Sequence, residues 1–350
     1  MKNKYEMIVL DDKFGHINSH WAYSTSRLNI IERVYYDEHG FEKKMLDLLR
    51  KFQVDLLGIS GRGAGEALEK LNNYLLKNSF NEFLKFSNIL KIAKLHNTNL
   101  NRKKMKKNLK DRNKLMKNGN DWVKIALKYP FDILMVQTYG DDKILNDVLK
   151  KDVAYWVPYL YNDKIFTYKD VEKQIDIGAY FKVERHKHRE KFIKVIEEYA
   201  KKRGYTFEFS DKYWGKDYAE KIQNSKVVVH LSYCGDIPWR LYECSACGTC
   251  LLTDPLKFGV DKLFKKNKDY IEFNRDLSDL ENKLDKVLEN EKYRNEIIEH
   301  SRKSVKKFTW ELGVNKIIIP LIEKKYKEKN YFKGEKDEIC SSRKSCEKTS

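Results

Sequence analysis

The sequence contains little proline, glycine and cysteine: its 350 residues include 5 Pro, 16 Gly and 6 Cys. So few prolines and glycines exclude collagen-like and proline-rich low-complexity architectures. Apolar runs are short as well, and even residues 317–322 (IIIPLI) fall far short of the ~20 residues that a membrane-spanning helix needs. The amino end lacks the apolar stretch of a secretory signal. We therefore expect a cytoplasmic protein, with the inner membrane face as a peripheral alternative.

What the sequence does contain is enough apolar side chain for packed cores, with 41% hydrophobic and 13% aromatic residues. This composition excludes a globally disordered chain. Because domains usually run to roughly 100–200 residues, two domains are the favoured number. Lys and Arg number 70 against 52 Asp and Glu, which gives a net charge of +18. Such an excess indicates either an acidic partner or a lysine-rich surface.

Short apolar segments alternate with longer amphipathic ones in two successive series. Strands of the first series are predicted at 6–12, 54–60, 131–138 and 152–159, with helices at 66–76 and 141–149. Strands of the second are predicted at 175–181, 205–209, 226–232, 250–253 and 269–273, with helices at 185–202, 216–223 and 240–247. Three more helices follow at 277–288, 292–307 and 310–325. This alternation is typical of α/β domains with parallel sheets.

Two such series predict two Rossmann-like lobes, and the cleft between such lobes is the default ligand site. We assign residues 1–165 to an N-terminal lobe with a basic helical insertion at about 80–120. Residues 166–326 form the C-terminal lobe in this division. Residues 327–350 are rich in Ser, Lys and Glu and are expected to be a disordered tail.

The stretch 234–254 (CGDIPWRLYECSACGTCLLTD) contains the most informative candidate residues. A strand ends near Ser232, a loop contains Gly235 and Asp236, and a helix begins near Arg240. Glu243 lies three residues after Arg240, so both side chains share one helix face. A carboxylate there can accept hydrogen bonds from two vicinal hydroxyls of a ribose or hexose. The N–H groups at the amino end of the helix favour the binding of a phosphate. The alternative is a helical ion pair worth a few tenths of a kcal/mol.

The order of motifs in this stretch resembles the GT-B glycosyltransferases, and most of all their group-1-like, spore-maturation-protein-like family. The matching positions are Arg240, Glu243, Cys244, Ala246-Cys247-Gly248 and Leu251-Leu252-Thr253-Asp254. Further matches are Asp176-Ile177-Gly178, Arg185, Asp269–Phe273, Tyr293-Arg294, Ile297-Ile298 and Phe308-Thr309-Trp310. The resemblance extends from about residue 176 to 322 and is weak before that.

The resemblance implies an α/β GT-B fold, in which two facing Rossmann-like lobes with parallel sheets enclose a cleft. It implies a nucleotide-sugar donor on the C-terminal lobe and an acceptor hydroxyl on the N-terminal lobe. Glu243 would accept hydrogen bonds from the donor ribose. Arg240 and Arg185, with Lys182, would lie near the diphosphate, because a guanidinium group can donate two parallel hydrogen bonds to phosphate oxygens. Tyr213 and Trp214 would stack on the base.

One position departs from the family pattern. Retaining relatives often have two glutamates spaced Glu-x7-Glu. Eight residues before Glu243 the sequence has Gly235, with Asp236 beside it. Asp236 is therefore the candidate for the first acidic contact, and both retention and inversion of the sugar remain open.

The activity implied is that of a hexosyl- or pentosyltransferase. Such an enzyme must stabilise the growing negative charge of the departing nucleoside diphosphate. Basic side chains and a helix amino end can do this, and the sequence contains no Asp-x-Asp motif. We therefore expect a metal-independent transferase without a cofactor. The acceptor stays open between a glycan, a lipid-linked precursor, a protein and a nucleobase.

Three candidates for a catalytic base follow the first predicted strand, namely Asp12, His16 and His20. His and Asp suit the removal of a proton from an acceptor hydroxyl, although structural roles for these residues are an alternative. The glycine-rich turn 61–65 (GRGAG) follows the second strand. It fits either a phosphate-approaching loop or a plain tight turn.

Two further features allow other interpretations. Residues 102–117 hold nine basic residues and one acidic residue, which fits a solvated helix, a contact with an anionic membrane or a contact with nucleic-acid phosphates. Cys244, Cys247 and Cys250 have the spacing of a metal or cluster motif, but a helix break between them favours buried thiols, and no metal is expected. The alternative function for the whole chain is a nucleic-acid-binding or catalytically inactive nucleotide-binding protein on the same scaffold.

Overall fold

The structure, a computed structural model, describes residues 4–11, 24–59, 64–95, 100, 112–118, 121–183, 187–232 and 235–329. The chain divides into two compact units. The first consists of Met1–Gln137, Asp141–Val157 and Gly313–Ser350, and the second of Thr138–Gly140 and Pro158–Leu312. Each unit is built around one parallel sheet, as the alternation of strands and helices in the sequence predicts.

The first unit contains a six-stranded sheet in the order β2-β1-β3-β4-β5-β6. Its strands are β1 Tyr5–Asp11, β2 Leu28–Tyr35, β3 Leu56–Ile59, β4 Leu90–Leu95, β5 Ile133–Val136 and β6 Ala154–Trp156. Its helices are α1 Phe41–Lys51, α2 Ala64–Asn78, α3 Phe80–Asn88, α4 Arg112–Asn118, α5 Asp121–Lys128 and α6 Asp141–Leu149. All strand pairs in this sheet are parallel.

Two strands of this sheet, β2 and β4, are missing from the sequence-based prediction. The sequence of β2 is LNIIERVY, and it lies at the sheet edge with most of its residues partly exposed. β4 (LKIAKL) lies inside the sheet, between β3 and β5. For this region the sequence predicts a helical insertion. That prediction is corrected for residues 90–95, which form a strand.

The lysines of β4 explain why this strand is hard to recognise. Lys91 lies 4.7 Å from the centre of the Phe86 ring and donates to the carbonyl oxygens of Phe86 and Ile89. Lys94 is only 3% exposed, and burial lowers the pKa of its ammonium group to about 7. Two lysines suggest a solvated segment, but their aliphatic stems can be covered by apolar neighbours.

The end of the chain belongs to the first unit. Residues 319–329 are helical, and the ring of Tyr326 stacks on that of Tyr5 at 5.8 Å. The Tyr326 hydroxyl also donates to the carbonyl oxygen of Asp55, at 2.7 Å. The sequence-based division placed residues up to 326 in the second lobe, because such long-range contacts leave no local pattern. Residues 330–350 of the predicted tail lie outside the described residues.

The second unit contains a five-stranded parallel sheet in the order β11-β10-β9-β7-β8. Its strands are β7 Ile175–Tyr180, β8 Phe207–Ser210, β9 Ser225–His230, β10 Cys250–Thr253 and β11 Ile271–Glu272. Its helices are α7 Lys187–Arg203, α8 Gly215–Gln223, α9 Trp239–Cys247, α10 Leu280–Glu289, α11 Glu291–Val305 and the short α12 Trp310–Gly313, after which the first unit resumes. Every strand predicted for this half of the chain is present, with bounds within two residues.

Each sheet has one point at which the strand order reverses. In the second sheet the chain passes from β7 outward to β8 and then returns to the other side of β7 to form β9. In the first sheet β2 and β3 flank β1 in the same way. Ligands of open α/β sheets bind outside the carboxyl ends of the strands at such points. The carboxyl ends of β7 and β9 are therefore the expected ligand site of the second unit.

Candidate functional site

Arg240 joins the carboxyl ends of β7 and β9. This residue lies in the first turn of α9, and its Nη2 donates to the carbonyl oxygen of Tyr180, the last residue of β7. Its Nη1 lies 3.5 Å from Nδ1 of His230, the last residue of β9. The guanidinium group predicted from the sequence to face a diphosphate thus lies where the strand order reverses.

A second guanidinium group, that of Arg189 on α7, contacts the same Phe181 ring as Arg240 does. The Cζ atoms of Arg240 and Arg189 lie 5.6 and 5.1 Å from the centre of the Phe181 ring. Arg189 donates to the carbonyl oxygens of Leu231 and Lys182, at 3.0 and 2.9 Å. Within the described residues, neither guanidinium group has a carboxylate at ion-pair distance. Their charge is left available for an anion, for which arginine is the preferred partner.

His230 is a site residue that the sequence analysis did not single out. It is 3% exposed, and its pKa lies well below the usual value because of its burial and the charges of Arg240 and Arg189. The imidazole is therefore neutral at physiological pH. The signal available in the sequence is a polar side chain directly after the three consecutive valines of β9, SKVVVH.

Glu243 lies one turn after Arg240 on α9 and is 6% exposed. The hydroxyl of Tyr218, on α8, donates to its Oε2 at 3.1 Å. Burial raises the pKa of Glu243 to about 7, against the opposing effects of the Arg240 charge and the Tyr218 hydrogen bond. A buried carboxyl group at this place can accept hydrogen bonds from ligand hydroxyls, and a ligand that donates them favours its ionised form.

Lys182, Tyr213 and Trp214 lie in the loops after β7 and β8. The Lys182 ammonium is 5.4 Å from the centre of the Trp214 ring, which is 42% exposed. The Tyr213 ring meets that of Tyr180 edge-on at 6.1 Å. An exposed indole beside a lysine offers a surface on which a planar ligand group can stack.

Asp236 lies in the loop that leads into α9 and is half-buried. Its negative charge contributes to the raised pKa of Tyr159. It also opposes the fall in the pKa of Arg189, which burial and the Arg240 charge lower to about 10. The charge of Asp236 thus acts on Arg189, and its role as the first acidic contact stays a prediction.

A buried polar network holds the same loop. The carboxylate of Asp254, after β10, accepts hydrogen bonds from the backbone N–H and the hydroxyl of Ser232, at 2.6 and 2.8 Å. Arg275 forms an ion pair with Asp254 at 2.9 Å. The backbone N–H of Gly235 donates to the Ser232 hydroxyl at 2.8 Å. The start of α9 is therefore fixed relative to the ends of β9 and β10.

Gly235→Ala is expected to lower the free energy of unfolding by ~2 kcal/mol or more. Gly235 has φ +84°, and an added Cβ would lie 3.1 Å from the carbonyl oxygen of Pro255. Gly204→Ala is the matched control, because Gly204 has φ +74° with no atom within 4 Å of the added Cβ. Urea unfolding of both variants separates the conformational cost, which they share, from the close contact. Equal losses in the two variants would contradict a role for the contact.

The three cysteines of the Cys-x2-Cys-x2-Cys motif are buried side chains of the second unit. Cys244 and Cys247 lie on α9 and Cys250 begins β10. Burial raises the pKa of all three thiols, so they are protonated at neutral pH. Gly248 ends α9 between them, with φ +74°, at the predicted helix stop. The positions fit thiols that pack in a core.

Several predicted residues lie outside the described residues. These are the candidate bases Asp12, His16 and His20, the donor-site residue Arg185, and most of the glycine-rich turn. In the sequence, Asp12 directly follows the last residue of β1, and residues 60–63 directly follow the last residue of β3. Their assigned roles stay predictions.

Comparison with known proteins identifies the domain type. Residues 181–318 match the family model described as glycosyl transferase-like, and this range includes Lys182, Arg189, His230, Arg240 and Glu243. No curated protein matches the sequence. The chain thus carries a glycosyl transferase-like domain, and the resemblance seen in the sequence is confirmed.

Solved structures show the same fold at low identity. HepE from Anabaena, in complex with UDP and glucose, is 9% identical with a TM-score of 0.57, over 91% of this chain and 99% of that chain. Sucrose-phosphate synthase from Thermosynechococcus elongatus is 13% identical with a TM-score of 0.56, over 94% and 100%. A glycosyltransferase from Rickettsia africae is 12% identical with a TM-score of 0.54, over 92% and 99%. The predicted GT-B fold is confirmed.

Proposed function

We propose that the protein is a metal-independent hexosyl- or pentosyltransferase that moves a sugar from a nucleoside-diphosphate donor to a hydroxyl of an acceptor. The observation that supports this most is the arrangement at the ends of β7 and β9. There Arg240 and Arg189 have no carboxylate partner among the described residues, and the buried Glu243 follows one turn later. The guanidinium groups can bind a diphosphate through charge-assisted hydrogen bonds, and the carboxylate can accept hydrogen bonds from ribose hydroxyls.

In this proposal, the second unit holds the donor and the first unit holds the acceptor. Glu243 accepts hydrogen bonds from the ribose hydroxyls. Trp214 and Tyr213 stack on the base. Lys182 and Arg185 add positive charge to that of Arg240. Asp236 takes the place of the first acidic contact. Because Arg240 and Glu243 are held by hydrogen bonds to Tyr180 and Tyr218 before the reaction, they can stabilise the leaving group and orient the donor without reorganisation.

The bond between the anomeric carbon and the β-phosphate oxygen breaks, and the departing nucleoside diphosphate keeps the electron pair. The acceptor oxygen forms the new bond to the anomeric carbon and releases its proton. If the reaction inverts the sugar, Asp12, His16 or His20 takes that proton. His230 is unsuited to this role, since its low pKa leaves it a poor proton acceptor.

The nucleotide class is tested by thermal shift with UDP, GDP, ADP, TDP and CMP. A selective ligand at one hundred times its Kd stabilises the fold by ~2.7 kcal/mol, which corresponds to a rise in Tm of roughly 5 °C. UDP is the first candidate, because HepE was crystallised with UDP. Slow hydrolysis of the matching sugar nucleotide, without acceptor, then distinguishes an enzyme from an inactive nucleotide binder. No shift with any nucleotide would contradict the proposal.

A further inference from the structure

The first unit exposes large apolar side chains on two consecutive helices. Leu76 in the last turn of α2 is 50% exposed, and Phe80 and Leu84 of α3 are 60% and 47% exposed. Phe80 is the most exposed large hydrophobic residue among those the structure describes. We call Leu76, Phe80 and Leu84 the apolar patch. Patches of this kind on a folded protein mark interaction sites.

Two members of the patch share one face of α3. Phe80 and Leu84 are four residues apart on α3 and therefore lie on one face of the helix. The ring of Phe80 also stacks on that of Phe83 at 6.0 Å, while Phe83 packs against the core. Phe80 is thus held outward by an anchored neighbour, and it does not fold back onto the protein.

Exposed lysines lie at the ends of α1 and α2, whereas the carboxylate of α3 is buried and paired. Among residues 72–88 the only acidic side chain is that of Glu82, which is 8% exposed. It accepts a hydrogen bond from Ser79 and lies 4.0 Å from Nε of Arg50, at the end of α1. Lys51 and Lys77 are exposed. Since Arg50 is paired with Glu82, we call the two exposed lysines Lys51 and Lys77 the basic rim.

We propose that the apolar patch and the basic rim dock the protein on an anionic lipid surface. Apolar side chains that enter the lipid boundary and lysines that face anionic headgroups are the two contributions to interfacial binding. A second copy of the chain is disfavoured as the occupant, because a two-fold pairing would bring the same cations together. Among the described residues no helix is long and apolar enough to cross a membrane, so the contact is peripheral.

Co-sedimentation of the full chain with vesicles tests the proposal. Wild-type protein should bind vesicles of equal parts phosphatidylglycerol and phosphatidylcholine and show little binding to pure phosphatidylcholine. The double variant Phe80→Ser/Leu84→Ser should weaken binding to the mixed vesicles at least about tenfold, since the burial of two large side chains is lost. Lys51→Ser/Lys77→Ser should weaken it by roughly tenfold at 50 mM salt and by much less at 500 mM, where charges are screened.

Two further variants make the result specific to the patch. Leu312→Ser removes an exposed leucine of the second unit, 39% exposed, and should bind vesicles like the wild type. Phe80→Trp keeps an interfacial aromatic and should bind at least as well as the wild type. The serine variants should keep the wild-type Tm, because the replaced side chains are exposed.

Three results would each overturn the proposal. The first is equal vesicle binding by wild type and Phe80→Ser/Leu84→Ser, which would assign any binding to other basic segments. The second is equal binding of wild type to mixed and to pure phosphatidylcholine vesicles. The third is a lipid-free dimer in sedimentation velocity that the serine variant loses, which would make the patch an interface between copies.

Discussion

Arg240→Lys is expected to lower the turnover of the sugar-nucleotide donor by roughly 10²-fold, as the loss of one pre-organised donor to a developing charge typically does. Lysine keeps the charge but offers a single ammonium group. It cannot donate hydrogen bonds to the Tyr180 carbonyl oxygen and to two phosphate oxygens at the same time, as the guanidinium group of Arg240 can. Steady-state donor hydrolysis measures the change in kcat, and thermal unfolding shows whether the fold is kept.

Arg203→Lys is the matched control for this variant. Arg203 is the last residue of α7, at the end of the helix remote from the β7 carboxyl end, and it forms an ion pair with Asp285 at 2.5 Å. The same substitution there leaves the ends of β7 and β9 unchanged, so the turnover should stay at the wild-type value. A similar loss of turnover in both variants would indicate a general effect on the unit rather than a contact with the leaving group.

Glu243→Gln is expected to weaken binding of the selected nucleotide by roughly 10- to 100-fold. Hydrogen bonds from ribose hydroxyls to a carboxylate contribute about 1.5–3 kcal/mol, and an amide accepts them less strongly. The variant keeps the size of the side chain and a partner for the Tyr218 hydroxyl, so the local packing is retained. Isothermal titration gives the Kd. An unchanged Kd would remove Glu243 from the donor site.

The pH dependence gives this prediction a second measurement. With a pKa of about 7 in the free protein, Glu243 is mostly protonated at pH 6 and mostly ionised at pH 8. Since ribose hydroxyls donate to the ionised form, nucleotide affinity should rise roughly tenfold between pH 6 and 8. Glu243→Gln should lack this rise, whereas Glu299→Gln, at an exposed carboxylate paired with Arg302, should keep it. His230 adds no pH dependence in this range, because its pKa is far lower.

The stability of the free protein should follow the opposite trend. The raised pKa of Glu243 means that its contribution to stability is fully present below the unfolded value of 4.5 and is lost as the pH rises through about 7. Ligand-free wild type should therefore lose stability relative to Glu243→Gln over this window. A wild-type stability that rises with pH relative to that of Glu243→Gln over this window would contradict the assignment of the titration to Glu243.

The second unit shows how far local patterns reach. Its strands, its helices and the stop at Gly248 follow from apolar runs and turn residues, and Arg240 and Glu243 stand out because they share one helix face. The sequence analysis did not identify His230, Tyr218 or Arg189 as site residues. Each looks ordinary in its own segment, and only the pairing of β7 with β9 and the packing of α7 and α8 bring them to Arg240 and Glu243.

The first unit shows where local patterns fail. Lys91 and Lys94 make β4 look like part of a basic insertion, but their stems are covered when the strand pairs with β3 and β5. The return of residues 319–329 to this unit depends on Tyr5, more than 300 positions away in the chain. No window of sequence contains both partners of such a contact.

Local sequence patterns are enough to predict the alternation of strands and helices, hence two parallel sheets, and the residue types of the site on α9. These are local properties, set by apolar periodicity, helix spacing and glycine. The tertiary structure decided the strand order, the two reversal points and the proximity of two arginines, a neutral histidine and a buried carboxyl group. Strand order arises from crossovers between distant segments, and pKa values arise from burial and neighbouring charges, so both exist only once the chain is folded.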